Sequence, residues 1–361
     1  MKNLDFKHGG NIYYFAEKFN YSLSDIIDAS ASIVPFVIPD FLKDELCIEI
    51  KNESFRYYPE RNLNKLKETI GIFHNIDPSC IMPGNGASEL ITWAGFEAAK
   101  YKVNCLPVPG FVDYERALNC WQAKYFFEEL PKNNFKNIKQ PFPLKPKCDV
   151  LWITNPHNPT GQLWDRKSLE ELIENYKLVI CDEAFLSLTP NGENESLIPL
   201  TKKFDNLIVI RSLTKLFSIP GLRLGYMISS SKMCQNLNRL RDPWPVNSLA
   251  IQAGIKLLSR KEEYEKWIKK IHTWINIEKQ WLTNELKKIS QIKVHESTTN
   301  FLLIESKDSL MESINYLSSK KILIRECSSF RFLDDKWARI SLQTHEKNQI
   351  IAIELYKFFV K

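Results

Sequence analysis

Between Ala87 and Tyr226 the chain switches repeatedly between two hydrophobic spacings, and that switching predicts its architecture. Ala87 to Lys100 and Phe111 to Trp121 show the spacing of helices with one buried face. Short apolar runs occupy Val103 to Val108, Asp149 to Thr154, Lys177 to Cys181, Asn206 to Ser212 and Leu222 to Ile228. Runs of this length, bounded by turn residues, read as buried strands. Asp165 stands ahead of Leu169, Leu172 and Ile173, where its carboxylate can cap a helix. Strands alternating with helices imply an α/β fold with a mostly parallel central sheet, flanked by helices on both faces.

The pattern changes after Pro243-Trp-Pro245. Glu262 to Ile289 reads as one long helix, with Trp267, Trp274 and Trp281 seven residues apart and Ile271 between them. That stripe is expected to pack a core or bridge two parts of the molecule. Beyond it come strand Phe301 to Glu305, helix Asp308 to Ser319, strands Ile322 to Glu326 and Trp337 to Leu342, and a final helix. The expected organisation is an N-terminal segment 1–35, a large α/β domain 36–245 and a smaller C-terminal α+β domain 246–361. The length of 361 residues agrees, because single cores stop growing near ~250–300 residues.

Composition narrows the class only a little. Hydrophobic content of 44% and charged content of 25% describe an ordinary globular protein, and the net charge of +6 is dispersed. The densest basic stretch, Lys132 to Lys147, holds five lysines and no acid, and its Asn and Pro content reads as an exposed loop rather than a nucleic-acid patch. Eight cysteines without a CxxC pair argue against a disulfide framework and a structural zinc site, so no metal is expected. Residues 1–8 lack an apolar signal core, and no segment reaches the ~20 apolar residues of a membrane span. A cytoplasmic protein without membrane or nucleic-acid partners is the expectation.

Chemistry concentrates just past the strands. Lys215 follows the run Asn206 to Ser212, with Ser212 three residues before it and Arg223 eight after. A lysine so placed faces a ligand more readily than solvent, and a partly desolvated amine loses its proton and can form a Schiff base. Asp182 ends the strand beginning at Lys177, and Asn155-Pro-His-Asn-Pro-Thr-Gly161 follows the strand ending at Thr154. Pro83-Gly-Asn-Gly-Ala-Ser-Glu89 opens the helix near Ala87, where backbone N–H groups can hold a phosphate.

This order resembles the pyridoxal 5'-phosphate (PLP) enzymes of fold type I, the aspartate aminotransferase superfamily, over nearly the whole chain. The resemblance implies a role for each element. Lys215 carries the cofactor covalently and is the catalytic residue. Asp182 pairs with the pyridinium nitrogen, and Asn158, before a peptide bond that is often cis, bonds the phenolic oxygen. Gly86, Ala87, Ser88, Ser212 and Arg223 hold the phosphate, and Phe111 stacks on the ring. Tyr58 reaches across a homodimer to the neighbour's cofactor phosphate, so active sites are shared.

Further segments are similar to the threonine-phosphate decarboxylase family of cobalamin biosynthesis, itself related to histidinol-phosphate aminotransferases. They are His8-Gly-Gly-Asn11, Asp28-Ala-Ser-Ala-Ser-Ile33, Tyr57-Tyr-Pro59, Gly84 to Ile91, Asp182-Glu-Ala-Phe185, Pro243 to Asn247 and Ile324 to Phe330. That similarity implies a small amino-acid phosphate substrate. Its carboxylate would meet Arg339, and its phosphate Arg325, His8, Ser30 and Ser32. Phe185 stands where many aminotransferases place a tyrosine, which leans toward decarboxylation. Ser32 and Val34 depart from the asparagines usual at their positions. The alternatives are an aminotransferase acting on histidinol phosphate and a non-catalytic relative that binds PLP or a protein.

Overall fold

A computed structural model describes residues 8–131 and 139–360. Residues 1–7, on which the reading of a missing signal core rests, and 132–138 of the lysine-rich stretch lie outside them. The larger sheet has seven strands, in the spatial order Ile81–Asn85, Leu224–Ile228, Leu207–Ser212, Leu178–Asp182, Val150–Thr154, Asn104–Val108 and Tyr125–Glu129. All run parallel except Leu224–Ile228, which is antiparallel to both neighbours. Every residue of the four strands from Leu224–Ile228 to Val150–Thr154 is buried, as a sheet covered on both faces requires. Asp165 caps the helix Arg166–Ile173 by accepting from the Ser168 amide at 2.9 Å.

The second sheet has five strands, in the order Ile27–Ala29, Ile322–Glu326, Trp337–Ser341, Phe301–Ser306 and Ile292–Val294. Its first strand comes from the N-terminal segment and pairs in parallel with Ile322–Glu326, so residues 27–29 and 322–324 share one edge. A three-residue strand is too short to show a period in the sequence. The long helix, Lys261–Leu286, joins the two regions. The Trp267 indole donates to the Leu216 carbonyl at 2.9 Å, beside Lys215, and the Trp274 indole to the Gln343 carbonyl at 3.1 Å. The tryptophan stripe is therefore a bridge as well as core.

Several expectations need correction. The strand expected from Leu222 begins at Leu224, because Pro220–Leu222 forms a 3-10 turn and Arg223 takes a left-handed φ of 58°. Ile81–Asn85 contains Pro83 and Gly84 and reads as a loop, yet it pairs as a strand; it lies at the sheet edge, where a proline is tolerated. The lysine-rich stretch is not simply an exposed loop. Lys139–Gln140 pairs with Leu163–Trp164, and Phe142 and Leu144 are buried. Among the described residues no helix is long and apolar enough to cross a membrane.

Close packing at the start of the Gly86–Ala98 helix yields a stability prediction. A Cβ on Gly225 would lie 2.8 Å from the Arg211 carbonyl oxygen and 2.9 Å from the Ala87 nitrogen, both backbone atoms. Gly225→Ala should therefore cost about 1–3 kcal/mol, read as a lower Tm. Gly221→Ala, whose Cβ would meet nothing within 4 Å among the described residues, should leave Tm unchanged.

Candidate active site

The carboxyl ends of the parallel strands, the usual ligand position in such sheets, open on a cavity of about 200 Å³. The structure brings thirteen of the expected residues to its wall: His8, Ser30, Ser32, Ala87, Ser88, Phe111, Asn158, Asp182, Ser212, Lys215, Arg223, Arg325 and Arg339. Gly86 sits immediately behind. Its φ is +76°, and a Cβ there would come 2.6 Å from Arg223 Nη2, so glycine is required twice over. Tyr58 is elsewhere. It is 79% exposed, stacks on Trp244 at 4.4 Å and lines a separate groove with Asn85.

Asp182 ends its strand buried beneath the cavity. Its Oδ2 accepts from the Tyr114 hydroxyl at 2.7 Å and its Oδ1 from the Ala184 amide at 2.9 Å. The Tyr114 hydroxyl also contacts Thr154 Oγ1 at 2.8 Å. Burial raises the Asp182 pKa, and the Tyr114 and Ala184 hydrogen bonds work against that rise. Sequence reasoning did not find Tyr114, which reads there only as part of an amphipathic helix. No local signal distinguishes a core tyrosine from one whose hydroxyl meets a strand 68 residues away.

Lys215 points its amine over the Phe185 ring, 5.5 Å from the centroid. The amine's pKa is lowered to about 8, first by burial and then by the positive charges of Arg339 and Arg223, with Asp182 opposing. Arg339 is anchored on two sides. Its Nη1 donates to Asn158 Oδ1 at 2.5 Å and its Nη2 to the Ser30 carbonyl at 3.0 Å. Its Nε is buried without a hydrogen-bond partner among the described residues, and its pKa is lowered to about 10, chiefly by burial. Arg325 lies directly opposite Arg339 across the strand pair, is itself buried, and donates to Ser329 Oγ at 2.6 Å.

Both serines of the expected phosphate site have partners within the protein. Ser30 donates to Asp28 Oδ1 at 2.6 Å and accepts from the Gly10 amide at 2.8 Å. Ser32 shares a 2.8 Å hydrogen bond with Ser341. Both hydroxyls already have partners, so these residues shape the wall and hold the N-terminal segment against it. His8 is exposed at the rim, its ring edge-on to Phe111 at 5.6 Å.

PLP fits these residues. Lys215 offers an amine with no hydrogen bond or ion pair among the described residues, opposite the carboxylate of Asp182. Asn85 leaves the Gly86–Ala98 helix without a side-chain cap, so its first N–H groups remain open to a phosphate beside Arg223. The Asn158–Pro159 peptide is cis. Fold and site together define a fold type I PLP-dependent enzyme.

Residues 16–354 match the aminotransferase class I and II family, and the chain belongs to it. The chain is 32% identical over 353 residues to a Caldanaerobacter subterraneus protein provisionally named a threonine-phosphate decarboxylase, covering 96% of this chain and 92% of the relative. It is 30% identical over 355 residues to a histidinol-phosphate aminotransferase of Ruminiclostridium cellulolyticum, covering 96% and 95%. The crystal structure of the histidinol-phosphate aminotransferase of Clostridium acetobutylicum superposes with a TM-score of 0.82 at 26% identity, covering 93% of this chain and 99% of that one.

The Lys215 environment sets a pH dependence. Only the neutral amine attacks an aldehyde, so capture of PLP by the apo protein should rise with pH through a midpoint near 8. Arg339→Gln removes a neighbouring positive charge and should move the midpoint up; Asp182→Asn removes a negative charge and should move it down. Borohydride trapping across pH, read as pyridoxyl-lysine by mass spectrometry, measures both. A midpoint near the ordinary lysine value would show the amine to be solvated.

Proposed function

We propose that this protein decarboxylates L-threonine O-3-phosphate, releasing CO2 and (R)-1-amino-2-propanol O-2-phosphate. The reading rests on one observation: two buried arginines, Arg325 and Arg339, stand opposite each other in register on the wall that Lys215 also lines. A small amino acid with a carboxylate at one end and a phosphate at the other supplies an anion to each.

Bound here, PLP supplies a ring that accepts the electron pair left at the substrate Cα when one of its bonds breaks. The protein selects the bond. Arg339, fixed by Asn158 and the Ser30 carbonyl, takes the carboxylate and sets the direction of the Cα–carboxylate bond. Arg325, with His8 at the rim, takes the phosphate. Lys215, whose pKa of about 8 leaves it largely protonated at neutral pH, returns a proton to Cα once CO2 has left. One proton is consumed for each CO2 released. Asp182 would pair with the pyridinium nitrogen, Gly86, Ala87, Ser88, Ser212 and Arg223 would hold the cofactor phosphate, and Phe111 would cover the ring. Tyr58, exposed and outside its own cavity, serves the neighbouring site of a homodimer.

A specific observation favours an aminotransferase as the second reading: a histidinol-phosphate aminotransferase is nearly as similar as the decarboxylase relative. A dicarboxylate such as 2-oxoglutarate would also satisfy two arginines. Phe185 supports the first reading. An apolar ring, packed edge-on against Phe301 at 5.4 Å, stands where the resemblance implies a tyrosine in many aminotransferases.

Threonine phosphate supplied without a 2-oxo acid should yield CO2 and the amino-propanol phosphate. Turnover only with histidinol phosphate and 2-oxoglutarate would move the assignment to the aminotransferase. Arg339→Gln should lower kcat/KM by roughly a hundredfold, the usual consequence of removing one partner of a buried charge pair. Arg325→Gln should weaken substrate binding far more than cofactor binding; equal loss of both would show it to be misassigned.

A further inference from the structure

Residues 327–333 follow the strand carrying Arg325 and place Phe330 on the cavity wall. Their hold on the site runs through side chains. Ser329 Oγ accepts from Arg325 at 2.6 Å, and the Phe330 ring lies 5.3 Å from the Arg325 guanidinium. The next residue, Arg331, leaves the second sheet's loop altogether. Its Nε donates to Glu115 Oε2 at 2.7 Å and its Nη2 to Glu115 Oε1 at 2.5 Å, a two-pronged grip between residues 216 positions apart. Its guanidinium also sits 4.4 Å from the Phe127 ring centroid.

The anchor is well made. The Glu115 side chain is only 6% exposed, against 39% for Arg331, and Glu115 also accepts from the Tyr125 hydroxyl at 3.2 Å. Glu115 lies on the Asp113–Cys120 helix, next to Tyr114, which holds Asp182. One contact therefore joins the helix behind the cofactor position to the loop in front of the substrate position. A fork on a buried carboxylate fixes orientation in a way a point charge does not. The loop is also tightly determined: Phe332, directly after Arg331, is held at φ 67°, a conformation that residues bearing a Cβ take only where their surroundings impose it.

We propose that Arg331 is a positioning residue for substrate: its grip on Glu115 pins the 327–333 loop, and so fixes Phe330 and Arg325 against the bound ligand. The inference rests on the cavity being the substrate site, and not on which amino-acid phosphate enters it. Because Arg331 is partly exposed, the contact is also screened by salt.

The test uses the PLP-loaded protein and three variants, Arg331→Gln, Arg331→Lys and Glu115→Gln. Arg331→Gln should raise KM for threonine phosphate by roughly three- to tenfold, with kcat and PLP affinity unchanged. Amide hydrogen exchange should quicken over 327–333. Glu115→Gln should copy it, and Arg331→Lys, which keeps the charge but loses the fork, should fall between variant and parent. Unaltered KM and exchange in Arg331→Gln would overturn the proposal, as would a loss of PLP affinity that keeps pace with the loss of substrate. If the parent leaves threonine phosphate untouched, the proposed function fails, and the exchange comparison still decides the role of Arg331.

Discussion

Crowded positive charge is the constraint around which this site is built. Lys215, Arg223, Arg325 and Arg339 all line one small cavity, and the carboxylate facing them there is Asp182. Like charges a few ångströms apart repel strongly where water is scarce. The fold tolerates the arrangement by giving neutral acceptors to the most deeply buried cation: Asn158 Oδ1 and the Ser30 carbonyl hold Arg339. Burial first, and then the charges of Arg339 and Arg223, make the amine give up its proton more easily, toward a pKa of about 8. Such a cavity discriminates against cations and neutral ligands and favours ligands carrying anionic groups.

The scaffold that keeps these charges together is local where it touches the cofactor position and long-range where it touches the substrate position. Arg223 reaches Gly86 because both adopt left-handed backbone, one at the end of a 3-10 turn and one at the start of a helix. Asp182 and Ser212 end neighbouring parallel strands, so the sheet register alone sets their relation. Arg325 and Arg339 belong to the other sheet. The Lys261–Leu286 helix, bonded through Trp267 to Leu216 and through Trp274 to Gln343, fixes one sheet relative to the other.

That division explains what could be read from the sequence. Lys215, Asp182, Asn158 and Arg223 were legible because each sits at a fixed offset from a strand or turn, and offsets are local. The alternation of strands and helices was legible for the same reason, along with the Asp165 cap. The hydroxyl partners of Ser30 and Ser32 were not. Ser32 meets Ser341, 309 residues away, and nothing in the neighbourhood of either serine encodes that choice. Tyr114 and Glu115 read as ordinary helix positions, although one supports Asp182 and the other grips Arg331. Phe142 and Leu144 were hidden by the lysines and prolines around them, which dominate composition while the alternate apolar side chains turn inward.

Within the proposed chemistry, the N-terminal segment couples binding to proton transfer. The Ser30 carbonyl orients Arg339, which would hold the substrate carboxylate, and the Val34 amide donates to the Lys215 carbonyl at 3.2 Å. Only Ala31 to Ile33 separate these contacts. The buried Ser32–Ser341 hydrogen bond ties that short stretch to the strand carrying Arg339. A shift of this segment would therefore alter the carboxylate's direction and the backbone of the proton donor together. A decarboxylase needs such coupling, because it must hold one Cα bond in the breaking orientation and protonate the same carbon afterwards. Ser32 and Val34, which depart from the asparagines usual at these positions, thus lie on the connection between the orienting arginine and the acid.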